Sequence, residues 1–128
     1  MTIPANTFFG LTYPGLQSGI TAIIPAQAGL RYSCNGLDIS LRPDSTLVGG
    51  GVITIELLQN NNVGLSKTVY VPATQGTELA GPTPIFTSEN LPQNISYVST
   101  AGASLQVSIS TPFTTGGIDI NVYGEYFV

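Results

Sequence analysis

The side chains in this chain that could do chemistry are seven carboxylates, Asp38, Asp44, Glu56, Glu78, Glu89, Asp119 and Glu125, and one thiol, Cys34; histidine is absent. Paired carboxylates can hydrolyse a glycosidic bond as acid and base, but no spacing here singles out a pair. Most of the seven fall at outward positions of alternating segments or in turns, where they keep a β-surface soluble and its edges unpaired. Without histidine, a Ser-His-Asp triad and a Cys-His pair are impossible, and a zinc site loses its usual ligand. Asp44 and its neighbours lack the spacing of a calcium loop. Gly49-Gly50-Gly51 precedes a strand pattern and has neither the Lys nor the Ser/Thr of a phosphate-binding loop. The residues therefore point to no enzyme, no catalytic group, no cofactor and no metal.

Cys34 is the single cysteine and can close no intrachain disulfide. A lone thiol fits a chain made in a reducing cytoplasm, and its plain reading is a small buried hydrophobe. Asn94-Ile95-Ser96 has the pattern of an N-glycosylation acceptor, but no charge precedes Arg31, so a basic secretory leader is not expected. No run approaches the ~18 apolar residues of a membrane-spanning helix.

Charge is the unusual property. Three Lys or Arg and seven Asp or Glu make 8% of 128 residues, against about a quarter in a typical soluble domain. A monomer of this size exposes roughly 6,000–6,500 Å², or about one charge per ~600 Å². Such a surface is weakly protected against association, so much of it is expected to be covered by copies of the chain or by another protein. The only cations, Arg31, Arg42 and Lys67, form no basic stripe, which argues against nucleic acid and anionic membranes as partners.

Period-2 alternation dominates the chain. In Leu37 to Arg42 the apolar residues Leu37, Ile39 and Leu41 face one side, and Asp38, Ser40 and Arg42 the other. Val52 to Leu57 repeats the pattern; after Asn60 to Gly64, read as a turn rather than a sugar-contacting tip, Lys67 to Val71 returns antiparallel. Further strands are expected at Ile20 to Ile24, Pro84 to Thr87, Ile95 to Val98, Leu105 to Ser110 and Ile118 to Phe127. Fifteen Gly and nine Pro interrupt every window that could hold a long helix, leaving at most one turn around Thr77 to Leu79. The pattern predicts an all-β, antiparallel two-sheet sandwich of about eight strands, jelly-roll-like. Its core is expected from Leu37, Ile39, Leu41, Ile53, Ile55, Leu57, Val69, Val71, Leu105, Val107, Ile109, Ile118, Ile120 and Val122.

Residues 1–18 differ from the single domain expected over 19–128. They carry no charge, yet include Phe8, Phe9, Leu11 and Tyr13, and Pro and Gly argue against a regular strand. The segment reads as an arm that docks on a neighbour or as a plug across its own sandwich. The final segment, with Tyr123, Tyr126 and Phe127, reads as a strand held centrally in a sheet or across a subunit boundary. Phe8, Phe9, Leu11, Tyr13, Tyr123 and Tyr126 are the candidate partner-interface residues.

In this plan, an uncharged N-terminal arm, a Gly/Ser/Thr/Asn-rich β-domain and a strand ending at Val128, the chain resembles the small capsid decoration (cement) proteins of tailed bacteriophages. The resemblance implies a structural role in the virion: a homo-oligomer, trimer or dimer, made in the host cytoplasm and bound to the major capsid protein on the capsid surface. The rival expectation is a receptor- or carbohydrate-binding head of a phage fibre, using loop aromatics such as Tyr70 or Tyr97.

Overall fold

The computed structural model describes residues 7–74, 82–87 and 99–128. They form eight strands: β1 (Thr7–Leu16), β2 (Gly19–Ile24), β3 (Arg31–Leu41), β4 (Gly51–Gln59), β5 (Asn62–Val71), β6 (Thr83–Thr87), β7 (Leu105–Ile109) and β8 (Ile118–Phe127). One sheet has the order β1-β8-β3-β6 and the other β2-β7-β4-β5. Every described pairing is antiparallel. Successive strands pass from one sheet to the other at β1–β2 and β2–β3, and this interleaved order is that of an eight-stranded jelly roll. The expected strand at Ile95 to Val98 and the turn of helix around Thr77 to Leu79 lie outside the described residues.

The core is built by the alternation read from the sequence. Ile39, Leu41, Ile53, Ile55, Leu57, Val71, Leu105, Val107, Ile118, Ile120 and Val122 are sealed from solvent, with Leu37 and Ile109 nearly so. Val69 is only half-buried on the edge strand β5, although Val71 in the same inward row is sealed. Ile23, Ile24, Tyr32, Ile85 and Phe86 complete the packing.

The N-terminal segment requires a correction. Thr7–Leu16 is a regular strand of the chain's own first sheet, paired to β8 from Thr7↔Tyr126 through Tyr13↔Ile120. Pro14 and Gly15 do not prevent this: they fall where the register shifts between Tyr13 and Leu16, on an edge strand that tolerates proline. Gly15 takes φ 61°, and Gly117 beside it φ 127°, conformations open to glycine.

The hairpin β4–β5 turns at Asn60 and Asn61, whose φ angles are 51° and 68°. Two left-handed residues between the Gln59↔Asn62 pair make the primed turn that matches strand twist. The five-residue loop expected at Asn60 to Gly64 is thus shorter, and β5 begins at Asn62.

Candidate functional site

The six candidate interface residues separate into two groups by strand parity. Phe8 on β1 and Tyr123 on β8 point outward and are 74% and 59% exposed. Phe9, Leu11 and Tyr13 point inward and are half-buried at the rim, packed against the core. Tyr126 is also inward and buried, so in the folded chain it belongs to the core and not to a free face. It occupies the same row of β8 as Ile118, Ile120 and Val122, which is why its ring is enclosed.

The inward aromatics close one side of the sandwich. The Phe9 and Tyr126 rings lie 5.0 Å apart, tilted by 42°, within the range of favourable aromatic pairs. Tyr126 donates its hydroxyl to Pro25 O at 2.7 Å, and Tyr13 donates to Ile23 O at 3.0 Å. Both acceptors sit on or just after β2, so the two hydroxyls tie the sheets together across the β1/β2 side. Burial pushes the pKa of each tyrosine up; for Tyr126 the neighbouring Tyr13 adds to the rise, and a hydrogen bond from Gln27 opposes it.

On the outer face of the first sheet, Phe8, Gly10 and Thr12 of β1 stand opposite Glu125, Tyr123 and Asn121 of β8. Ser33, Gly36, Asp38 and Ser40 of β3 flank β8 on its other side. Arg31 lies 5.6 Å from the Phe127 ring centre, a cation–π distance, and donates to Ser99 O at 2.9 Å. Arg42 reaches Asp44 at 3.5 Å and Asp119 at 3.9 Å. These are half-exposed pairs, which contribute little. Asp119 also accepts the Gly15 N–H at 2.8 Å, pinning the end of β1.

The outer face of the second sheet is different. Ile20, Val52, Val63 and Tyr70 are exposed there, among Thr54, Thr68, Ser66, Ser108 and Gln106. Among the described residues its only charge is Glu56, paired with Ser66 and Ser108. Sequence reading did not single out this face. The signal was present in Val52, which shares the outward parity of Thr54 and Glu56. Tyr70 lies within β5 opposite Val52, not in a loop as the fibre-head expectation had it, and Tyr97 is outside the described residues.

No protein-family model, no curated protein and no solved structure matches this chain.

Among the described residues no three Cys, Asp or Glu side chains cluster to hold a metal ion, and no helix is long and apolar enough to cross a membrane. Cys34 is buried in β3 with its thiol 3.7 Å from Gly36 O. Burial raises its pKa to about 11, although a backbone hydrogen bond from Gly36 lowers it, so the reactive thiolate is scarce near neutrality. Tyr32, likewise buried, is pushed upward mainly by desolvation. A recess between β5 and β6 is lined by Leu65, Ser66, Lys67, Ile85 and Phe86. Lys67 donates to Ile85 O at 3.3 Å across it, which spans the gap between the sheets.

Proposed function

We propose that this chain is a structural, non-enzymatic component of a bacteriophage particle, a homo-oligomer that sits on the outer capsid surface and bridges neighbouring major capsid subunits. The observation that carries the reading is the second sheet's outer face, with four exposed apolar side chains, Ile20, Val52, Val63 and Tyr70, beside the single charge of Glu56 among the described residues. Apolar groups spread over a neutral β-face favour a wide, shape-matched contact over a pocket that selects a small molecule. Several such contacts in one oligomer raise the effective concentration of the rest, so modest affinity per contact suffices. The resemblance to phage decoration proteins supports the same reading.

Imaging of purified particles tests it. Density for the jelly roll at many equivalent lattice positions is the expected result; density at a few vertex or tail positions would replace this reading with the fibre head. A Val52→Lys/Tyr70→Lys double variant should keep its strand circular dichroism and fail to decorate particles.

A further inference from the structure

The four edge strands of this jelly roll are not protected alike. β5 carries Lys67 in its inward row and a register shift opposite Leu57/Leu58. β6 is five residues long, contains Pro84 and pairs through a shift at Ile39/Ser40. β2 is six residues long and is shifted between Ala22 and Ile24. Short length, proline, a bulge and an inward charge are the devices that keep a sheet edge from pairing with another chain. β1 has its proline and its register shift only at one end, beyond Tyr13; from Phe8 to Tyr13 its register is unbroken and it carries no charge. Among the described residues it has a neighbour only on the β8 side.

Gly10 sits at the middle of this segment. Of the glycines in the first sheet, Gly15 takes a positive φ, while a Cβ at Gly36 would overlap the Tyr123 ring and one at Gly124 would overlap Ser33 O. Gly10 has neither reason: its φ is not positive, and a Cβ built on it meets nothing within 4 Å. Glycine inside a strand weakens it and often marks a bulge, a bend or the close approach of a ligand or another backbone; at Gly10 the register to β8 is unbroken, and no described atom crowds the site.

We propose that β1 pairs antiparallel with β1 of a second copy, about a two-fold axis at Gly10, joining two four-stranded sheets into one of eight. This rests on the reading that the chain self-associates, and not on the capsid assignment. The register is self-complementary: Gly10 meets Gly10, Phe8 meets Thr12, and Phe9 meets Leu11 of the other copy. The half-buried inward pair Phe9 and Leu11 would be covered, and the exposed Phe8 rings could lean over the gap above the two glycines. No like charges meet along this seam, whereas a β5–β5 pair centred on Lys67 would confront the two Lys67 side chains. The contact is isologous and closes as a dimer.

Sedimentation velocity across micromolar concentrations, on the full chain and on Gly10→Lys and Gly10→Glu variants, tests the proposal. Both variants place an exposed side chain in open space, yet set like charges against each other at the axis. The wild type should be a dimer, each variant alone should lose dimer affinity by about tenfold or more, and an equimolar mixture of the two should recover it. If the wild type dimerises and both variants match it, self-association stands on another surface and β1 pairing is wrong. A monomeric wild type overturns both. Should either charged variant misfold, Gly10→Cys decides: facing residues of an antiparallel ladder lie ~4.5–5.5 Å apart at Cα, within disulfide reach. Mild oxidation should then give a covalent dimer through position 10, because Cys34 is buried; a dimeric variant that does not cross-link refutes the register.

Discussion

The Tyr123 ring of the adjacent strand lies over Gly36, in the space a Cβ on that glycine would occupy. A tyrosine laid over a cross-strand glycine covers backbone that would otherwise be bare, and it explains why an outward aromatic can sit in the centre of a sheet. Gly36→Ala should push the ring aside at small cost, because the far end of an exposed side chain moves freely and alanine is the better strand residue. Stability should change by less than about 1 kcal/mol. Gly124→Ala should behave differently: its Cβ would strike the Ser33 carbonyl oxygen, backbone that cannot swing away, and overpacking of this kind costs about 1–3 kcal/mol or more. Urea denaturation of the two variants separates the cases; equal losses would mean that the ring is locked.

Core substitutions should follow the same division between centre and rim. Ile55 is fully enclosed in β4, so Ile55→Ala should lose about 2–5 kcal/mol. Val69 packs against the core from an edge strand and is half-buried; Val69→Ala should lose clearly less. Chemical denaturation checks both, and a cost for Ile55→Ala below ~1 kcal/mol would contradict the register of β4.

That contrast also shows where the sequence was readable. β4, β7, β8 and the second half of β3 alternate because one face of each is in the core, so period located them and most of their inward rows; the first half of β3, from Arg31, is hidden by the register shift between Cys34 and Gly36. Val69 belongs to the right row, but alternation carries no information about how well a residue of an edge strand is covered. β1 was obscured for a different reason. Phe8 and Phe9 are adjacent apolar residues that blur the period, and Pro14-Gly15 resembles a breaker, although Phe9, Leu11 and Tyr13 do alternate with Gly10 and Thr12. Tyr126 could have been placed inside by carrying the parity of Ile118, Ile120 and Val122 four residues onward. The neutral outer face of the second sheet was hidden because its apolar residues are scattered over three strands, and only the strand order β2-β7-β4-β5 brings them onto one surface.

Cys34 gives the fold a pH dependence on the alkaline side. Its pKa rises from the ordinary 9.0 to about 11 in the folded chain, chiefly through burial. The folded state therefore holds a proton that the unfolded state gives up first, so the stabilisation is fully present below pH ~9 and is lost as pH rises through ~11. The loss should be on the order of 2 kcal/mol. The rise at Tyr32 acts in the same direction. Denaturant midpoints measured across this window should fall for the wild type and fall less for Cys34→Ala. A thiol reagent at neutral pH should label Cys34 only after unfolding; rapid labelling of the native chain would contradict its burial.

The β4–β5 turn offers the sharpest test of local geometry, because both of its residues have left-handed φ yet differ in their bonds. Asn60 holds φ 51° and donates its backbone N–H to Ser104 O at 2.9 Å. Asn61, at φ 68°, is held through its side chain as well: its Oδ1 accepts from Gln106 Nε2 at 2.9 Å, and its N–H donates to Gln106 Oε1 at 2.8 Å. Asn60→Gly should be neutral or slightly stabilising, since glycine suits this position of a type I′ turn. Asn60→Val should cost about 1–2 kcal/mol, the penalty for forcing a side chain with a branched Cβ into the left-handed region. Asn61→Ala meets that strain and also loses the amide acceptor, so part of its cost should disappear when Gln106 is already alanine. A double-mutant cycle over Asn61 and Gln106 measures that part, expected at about 0.5–1.5 kcal/mol. If Asn60→Val is tolerated as well as Asn60→Gly, the hairpin does not turn at these two residues.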